Sequence, residues 1–262
     1  SIGLVGSEMC IRDSFIVANN GDAANAVDDI TPTAFEEANG SGSGSYATDL
    51  GSGMDGSMSI AYSNGDILGT GISVKYNYYP RLDGTTNNEK AASGDSAKDS
   101  AESINVGIPL AGLPVIGGTP LGGAKITLGY ENSDSLVTDA QSKQGGTVAV
   151  NMPLGALSVG YQKKGYQAVG TGTGEAQDVF YKDDIIGIAY AVNDEMAVSY
   201  NVYQSDKHDS VNGEVEQETK AINIAYTVGG LTLAFQDAKT TNSGYSTDTD
   251  NDTRTISIKT AF

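Results

Sequence analysis

Few residues in this chain can make or break bonds. There is one histidine, His208, and one cysteine, Cys10. One cysteine excludes a disulfide framework and cysteine-based metal sites. One histidine excludes histidine-cluster metal sites. It leaves a hydrolytic triad a single candidate base, lying in the polar stretch QSDKHDS with no Ser–Gly elbow nearby. Asp248, Asp250 and Asp252 in STDTDNDT have a spacing similar to a calcium loop. The glycine of the sharp turn and the distal glutamate do not follow, so a solvated loop is expected there and calcium is a weak candidate. What remains is fixed charge. Asp22, Asp28, Asp29, Glu36 and Glu37, with Asp49 and Asp55, crowd into residues 20–55, a stretch without lysine or arginine. Such groups act on ions through their field and not on covalent bonds.

The whole chain shares that sign. Its 262 residues carry 15 Lys+Arg against 33 Asp+Glu, a formal net charge of -18. A chain this acidic repels phosphate, which excludes nucleic acid as a partner. No apolar run reaches the roughly 18 residues of a membrane helix, so any membrane span must be made of strands. Hydrophobic residues make up 39%. This is below the usual range of about 45–50%, and the deficit is not spread evenly.

From residue 56 onward, apolar residues alternate with small or polar ones. Ile60 and Tyr62 oppose Ser59, Ala61 and Ser63. Ile126, Leu128 and Tyr130 oppose Lys125, Thr127 and Gly129. Ile186, Ile188 and Tyr190, then Ile222, Ile224 and Tyr226, then Ile256 and Ile258 repeat the pattern. Eleven such period-two segments can be counted. Tight turns are predicted at Asn64-Gly65, Pro153-Leu154-Gly155, Asn193-Asp194 and Gly229-Gly230, with a longer one over 111–122. They alternate strictly with polar loops at 80–100, 132–143, 164–180, 205–217 and 239–252. Tight turns therefore share one end of the sheet and long loops the other.

A soluble sandwich also alternates, with its apolar half inward. Here the polar half is Ser, Thr, Asn, Ala and Gly with an occasional Lys, as suits the wall of a wet lumen. An open meander of this length would leave long edges exposed, and closure removes them. The expected class is all-β, a transmembrane antiparallel up-and-down β-barrel with its apolar face toward lipid. Tyr78, Tyr79, Tyr130, Tyr161 and Tyr181 near strand ends fit an interfacial girdle. On strand parity Lys75, Lys125 and Lys259 point into the lumen, opposite the acidic loop. The competing readings are a soluble meander, a surface adhesin or tail-like β protein without channel activity, and a barrel hydrolase, for which His208 has no visible partner set.

The run SFIVANNGDAANAVDD, followed after the acidic stretch by SGMDGSMSIAYSNGDILGTGISVKYNYY, resembles the constriction-loop region of the alphaproteobacterial general diffusion porins. The resemblance covers residues 14–262, and the order of the elements is more specific than any one motif. It implies a homotrimer of sixteen-stranded barrels in the bacterial outer membrane. It also implies no enzymatic activity, and passive diffusion of ions and small hydrophilic solutes through a pore narrowed by residues 20–55. Asp22, Asp28, Asp29, Glu36 and Glu37 would supply the acidic side of that narrowing. Ala61 stands where such porins often place an inward arginine, so acid dominates and cations are favoured. Loop-bound calcium occurs in related porins. Phe262, with Ile258 and Ile256 on its strand, matches the terminal assembly signal of outer-membrane barrels, with Thr260 departing from it. Eleven segments plus residues 14–19 give twelve strands. A sixteen-stranded relative would need four more and a signal peptide before Ser14. Residues 1–13, SIGLVGSEMCIRD, fit no strand pattern and are expected to be a non-native tract, in which case Cys10 carries no redox meaning.

Overall fold

The computed structural model describes residues 13–18, 22–41, 50, 54, 57–80, 98–112, 119–135, 142–167, 179–209 and 213–260. Twelve strands form one sheet in strictly sequential order. They are β1 (Asp13–Ala18), β2 (Ser59–Asn64), β3 (Ser73–Tyr79), β4 (Lys98–Pro109), β5 (Lys125–Ser135) and β6 (Lys143–Leu154). There follow β7 (Leu157–Gln167), β8 (Val179–Ala191), β9 (Met196–Asp209), β10 (Gly213–Val228), β11 (Leu231–Thr241) and β12 (Asn251–Thr260). The pairs with a resolved register are all antiparallel, for example Val228↔Leu231 through Glu218↔Thr241 between β10 and β11. The all-β, up-and-down class read from the alternation is the class observed. Residues 1–12 and Phe262 lie outside the described residues.

The chain divides into two compact units. One is drawn from residues 1–28, 49–148 and 166–177, the other from 29–48, 149–165 and 178–262. In each, the apolar face is the open one. In the first, Ile60, Tyr62, Tyr78, Leu128, Tyr130 and Val148 are exposed, while Ser59, Asn77, Ser103, Thr127, Glu131 and Thr147 are buried. In the second, Val150, Ile188, Tyr200, Ile224 and Leu233 are exposed, while Gln162, Asp183, Asn201, Gln217, Asn223 and Gln236 are buried. A soluble sandwich would show the reverse.

The turn chemistry follows the residues. Gly229 and Gly230 take φ of +56° and +83°, the pair of left-handed positions that a two-residue type I′ hairpin requires. At the next tight turn toward the N-terminus, Asn193 Oδ1 accepts the backbone N–H groups of Glu195 and Met196 at 2.9 and 2.8 Å.

One expectation needs correction. The strands run well past the predicted loop boundaries: β9 ends at Asp209 and β10 begins at Gly213, inside the expected loop 205–217. Backbone pairing continues there (Gln217↔Ser205, Val215↔Lys207) while the face that carries Ile and Val lower down carries Gln204, Asp206, Glu216 and Glu218. Alternating hydropathy marks only the apolar band, whereas the ladder needs only backbone groups. Residues 22–29 and 33–38 also read as helical turns; among the described residues the stretch 20–55 holds 3-10 turns at Asn25–Val27, inside the first range, and at Ala38–Ser41, at the end of the second. Its backbone groups in between are bonded by wall side chains, so an i→i−4 ladder has no role there.

If the open face meets hydrocarbon, Ile188→Arg will destabilise folding into lipid vesicles by about 2–4 kcal/mol. Ser257→Arg, on the opposite face, will stay within about 0.5 kcal/mol. Urea titrations in the presence of vesicles read both.

Candidate pore constriction

In the first unit, Asp22 is the anchor. It is buried, and its Oδ2 accepts the Tyr79 hydroxyl at 2.8 Å and the Ser103 hydroxyl at 2.6 Å. Its Oδ1 accepts the backbone N–H groups of Ala24 and Asn25 at 2.6 and 3.0 Å. The wall also grips the backbone directly. Asn105 donates to the Ala23 carbonyl at 2.6 Å and the Ala23 N–H donates to Ser103 Oγ at 3.2 Å. Lys75 reaches the Asp22 carbonyl at 3.4 Å. Buried Asp28 accepts the Leu50 N–H at 3.0 Å, tying the two ends of the segment together. Further along the wall, Lys143 lies 3.2 Å from buried Glu131 and 5.4 Å from the centre of the Tyr166 ring. Lys125 is exposed, on the same face as Ser73 and Gly107.

In the second unit, residues 29–40 lie on β6 to β12. The Ile30 N–H donates to Gln162 Oε1 at 3.0 Å, and Asn151 donates to the Ile30 carbonyl at 2.7 Å. Asn201 donates to the Pro32 carbonyl at 3.0 Å, and the Ala34 N–H donates to Ser199 Oγ at 2.9 Å. Gln236 donates to the carbonyls of both Glu36 and Glu37, at 3.2 and 3.0 Å. The approach is close enough to dictate wall residues. A Cβ at Gly187 would sit 2.6 Å from the Pro32 carbonyl oxygen, and one at Gly160 would overlap the Pro32 ring.

Charge is arranged around Lys164, which is fully buried. Its Nζ lies 3.1 Å from Asp29 Oδ1 and 3.9 Å from Asp183 Oδ2. Asn39 donates to the other oxygen of Asp29 at 2.7 Å. Glu36 and Glu37 are half-buried, and the Gln236 bonds that fix them run through their backbone carbonyls. Burial pushes the Glu37 carboxyl above the ordinary glutamate value, and the neighbouring Asp29 and Glu36 charges push it the same way. A bond to its own backbone amide and the Lys164 charge oppose them. Lys259 is exposed, with Nζ 5.5 Å from the centre of the Phe35 ring.

The sequence-predicted residues thus take different places. Asp22 and Asp28 hold backbone, Asp29 pairs with Lys164, and Glu36 and Glu37 line the segment. Lys75, Lys125 and Lys259 are all on the polar face, with Lys75 and Lys259 against the segment. Ile256 and Ile258 lie on the open face of β12; Phe262 and Asp49 are outside the described residues. Asp248, Asp250 and Asp252 are exposed, and among the described residues no three acidic, histidine or cysteine side chains group as metal ligands. Sequence reading missed Lys143, Lys164 and Asp183. Each lies just past an apolar segment, and extending strand parity two residues beyond Gln162 would have placed Lys164 on the polar face.

Replacing Asp22 by Ala removes the acceptor of four donors, two backbone amides and two wall hydroxyls. Unfolding in denaturant should show a loss of about 2–4 kcal/mol.

No family model and no curated relative matches the sequence. Solved structures do match in fold. The outer membrane channel DcaP of Acinetobacter baumannii superposes with a TM-score of 0.63 at 10% identity, over 96% of this chain and 72% of that one. OmpT of Vibrio cholerae, an outer membrane protein described in a trimer form, gives 0.59 at 12% identity, over 96% and 77%. The anion-selective porin from Comamonas acidovorans gives 0.57 at 11% identity, over 85% and 64%. The fold of this chain is that of the outer-membrane porins.

Proposed function

We propose that this chain forms wall and constriction of a water-filled channel in the bacterial outer membrane. Ions and small hydrophilic solutes would cross it passively, down their gradients, in a homotrimer. The observation that carries the reading is the inversion of faces. Ile, Val, Leu and Tyr are on the open side, and an irregular acidic segment lies across Ser, Asn, Gln and Thr on the other. The function needs no catalytic group. It needs a wet lumen, a narrowing and fixed charge at the narrowing.

Cation preference follows from the residues at that narrowing. A porin of the same fold is anion-selective, so selectivity must come from this chain's own charges. Asp29 and Glu37 stand near the Lys164 ammonium, which also faces Asp183, and Lys259 lies against Phe35 beside Glu36, so four carboxylates stand against two ammoniums. The balance is negative, which favours cations and disfavours anions.

Reversal potentials across a planar bilayer under a KCl gradient test this. The protein should conduct and prefer K⁺, and Glu36→Gln with Glu37→Gln should reduce the preference. Selectivity unchanged by the double substitution would refute the constriction. Acidification supplies a second readout. A carboxyl raised above 4.5 takes up its proton at a higher pH than an ordinary glutamate. Part of the cation preference should therefore be lost above that pH as acid is added, and Glu37→Gln should remove that part.

A further inference from the structure

In the second unit a run of polar contacts joins the connection between β11 and β12 to the constriction segment. Gly244 and Tyr245 of that connection contact the polar face. The Tyr245 hydroxyl lies 2.8 Å from Ser205 Oγ, its ring packs 5.3 Å from that of Tyr181, and the Gly244 N–H donates to Gln217 Oε1 at 2.5 Å. Tyr245 holds φ at +56°, with Asn242 at +50° and Asp248 at +60°, a backbone region that disfavours residues with a Cβ. From Ser205 the run continues inward. Ser205 donates to Asp183 Oδ1 at 2.6 Å and Tyr203 to Oδ2 at 2.5 Å. Lys164 stands between Asp183 and Asp29, over the Tyr203 ring with its centre 5.1 Å away. Lys164, Asp183, Tyr203 and Ser205 are all buried.

Resting on the channel reading above, we propose that Lys164 and Asp183 set the net charge that the constriction segment presents to a passing ion, with Tyr245 holding Asp183 as a positioning residue. One ammonium between Asp29 and Asp183 leaves this trio at minus one. Removing the ammonium leaves it at minus two, and neutralising Asp183 leaves it at zero. Because the groups are shielded from water by the segment and by Tyr203, solvent screens them less than it screens Lys259 at the surface. Two substitutions in one contact network should therefore move selectivity in opposite directions. A purely structural role would loosen the segment in both and move selectivity the same way. Tyr245 reaches Asp183 through Ser205, so loss of its hydroxyl should act by loosening Asp183.

Reversal potentials of the full chain in a KCl gradient, read against pH, decide it. Lys164→Gln should raise the K⁺/Cl⁻ permeability ratio about two- to fourfold, the effect of one unit charge at roughly 10 Å in water. It should also raise the pH at which cation preference falls. Asp183→Asn should lower the ratio by a similar factor and lower that pH. Tyr245→Phe should shift the ratio in the wild-type background and add nothing in Asp183→Asn. Shifts of the same sign in Lys164→Gln and Asp183→Asn would overturn the proposal. So would equal Tyr245→Phe shifts in both backgrounds. Asp183→Asn keeps the side-chain shape and carries the test alone should Lys164→Gln not fold; a raised or unchanged ratio there refutes the proposal. A wild-type protein that does not conduct, or shows no cation preference, would instead overturn the channel reading beneath it.

Discussion

An irregular segment laid across a sheet has backbone N–H and C=O groups that neither helix nor strand satisfies, and burying them unpaired costs free energy. Here the wall satisfies them. Gln162, Asn151, Asn201, Ser199 and Gln236 bond the backbone between Ile30 and Glu37. In the other unit Ser103 and Asn105 do the same around Ala23. That requirement fixes which face of the strands must be polar. With period-two geometry it then fixes the other face as the apolar one. The orientation of the wall, the course of the acidic segment and the exposure of Ile188 and Ile224 are one consequence seen three ways.

The same bonding separates two tasks that the acidic residues could share. Carboxylates whose oxygens accept backbone amides and buried hydroxyls, as Asp22 does, hold the segment's shape. Carboxylates of residues held through their backbone carbonyls, as Glu36 and Glu37 are, can carry charge without being needed for the fold. Lys164 is shared between Asp29 on the segment and Asp183 on β8, so it belongs to both tasks. Glu36 and Glu37 can therefore change at lower cost to the fold than Asp22.

The strand pattern was legible because alternation over Ile126–Tyr130, Ile186–Tyr190 and Ile222–Tyr226 reports a physical boundary, an exposed apolar face against a buried polar one. The ends of the strands were not legible, because beyond that boundary both faces of β9 and β10 are polar while the ladder continues. The acidic segment was legible as a loop of unusual length, and the face of Lys75, Lys125 and Lys259 followed from parity. The roles of Asp22 and Asp28 could not be read. Whether a carboxylate faces water or grips an amide depends on Tyr79, Ser103 and Leu50, brought close only by the fold. Lys164 was missed because it follows Lys163, and a pair of lysines after a strand reads as solvated loop. In fact Lys163 is on the open side with Asp184, and Lys164 is buried on the other.

The central claim concerns which side of the sheet meets hydrocarbon. The chain has no tryptophan, so one introduced at Ile188 and, separately, one at Ser257 would report each face without background from native tryptophan. In vesicles containing brominated lipid, emission from position 188 should be strongly quenched and insensitive to aqueous iodide, with the opposite behaviour at position 257. Iodide quenching at 188 together with bromine quenching at 257 would contradict the account.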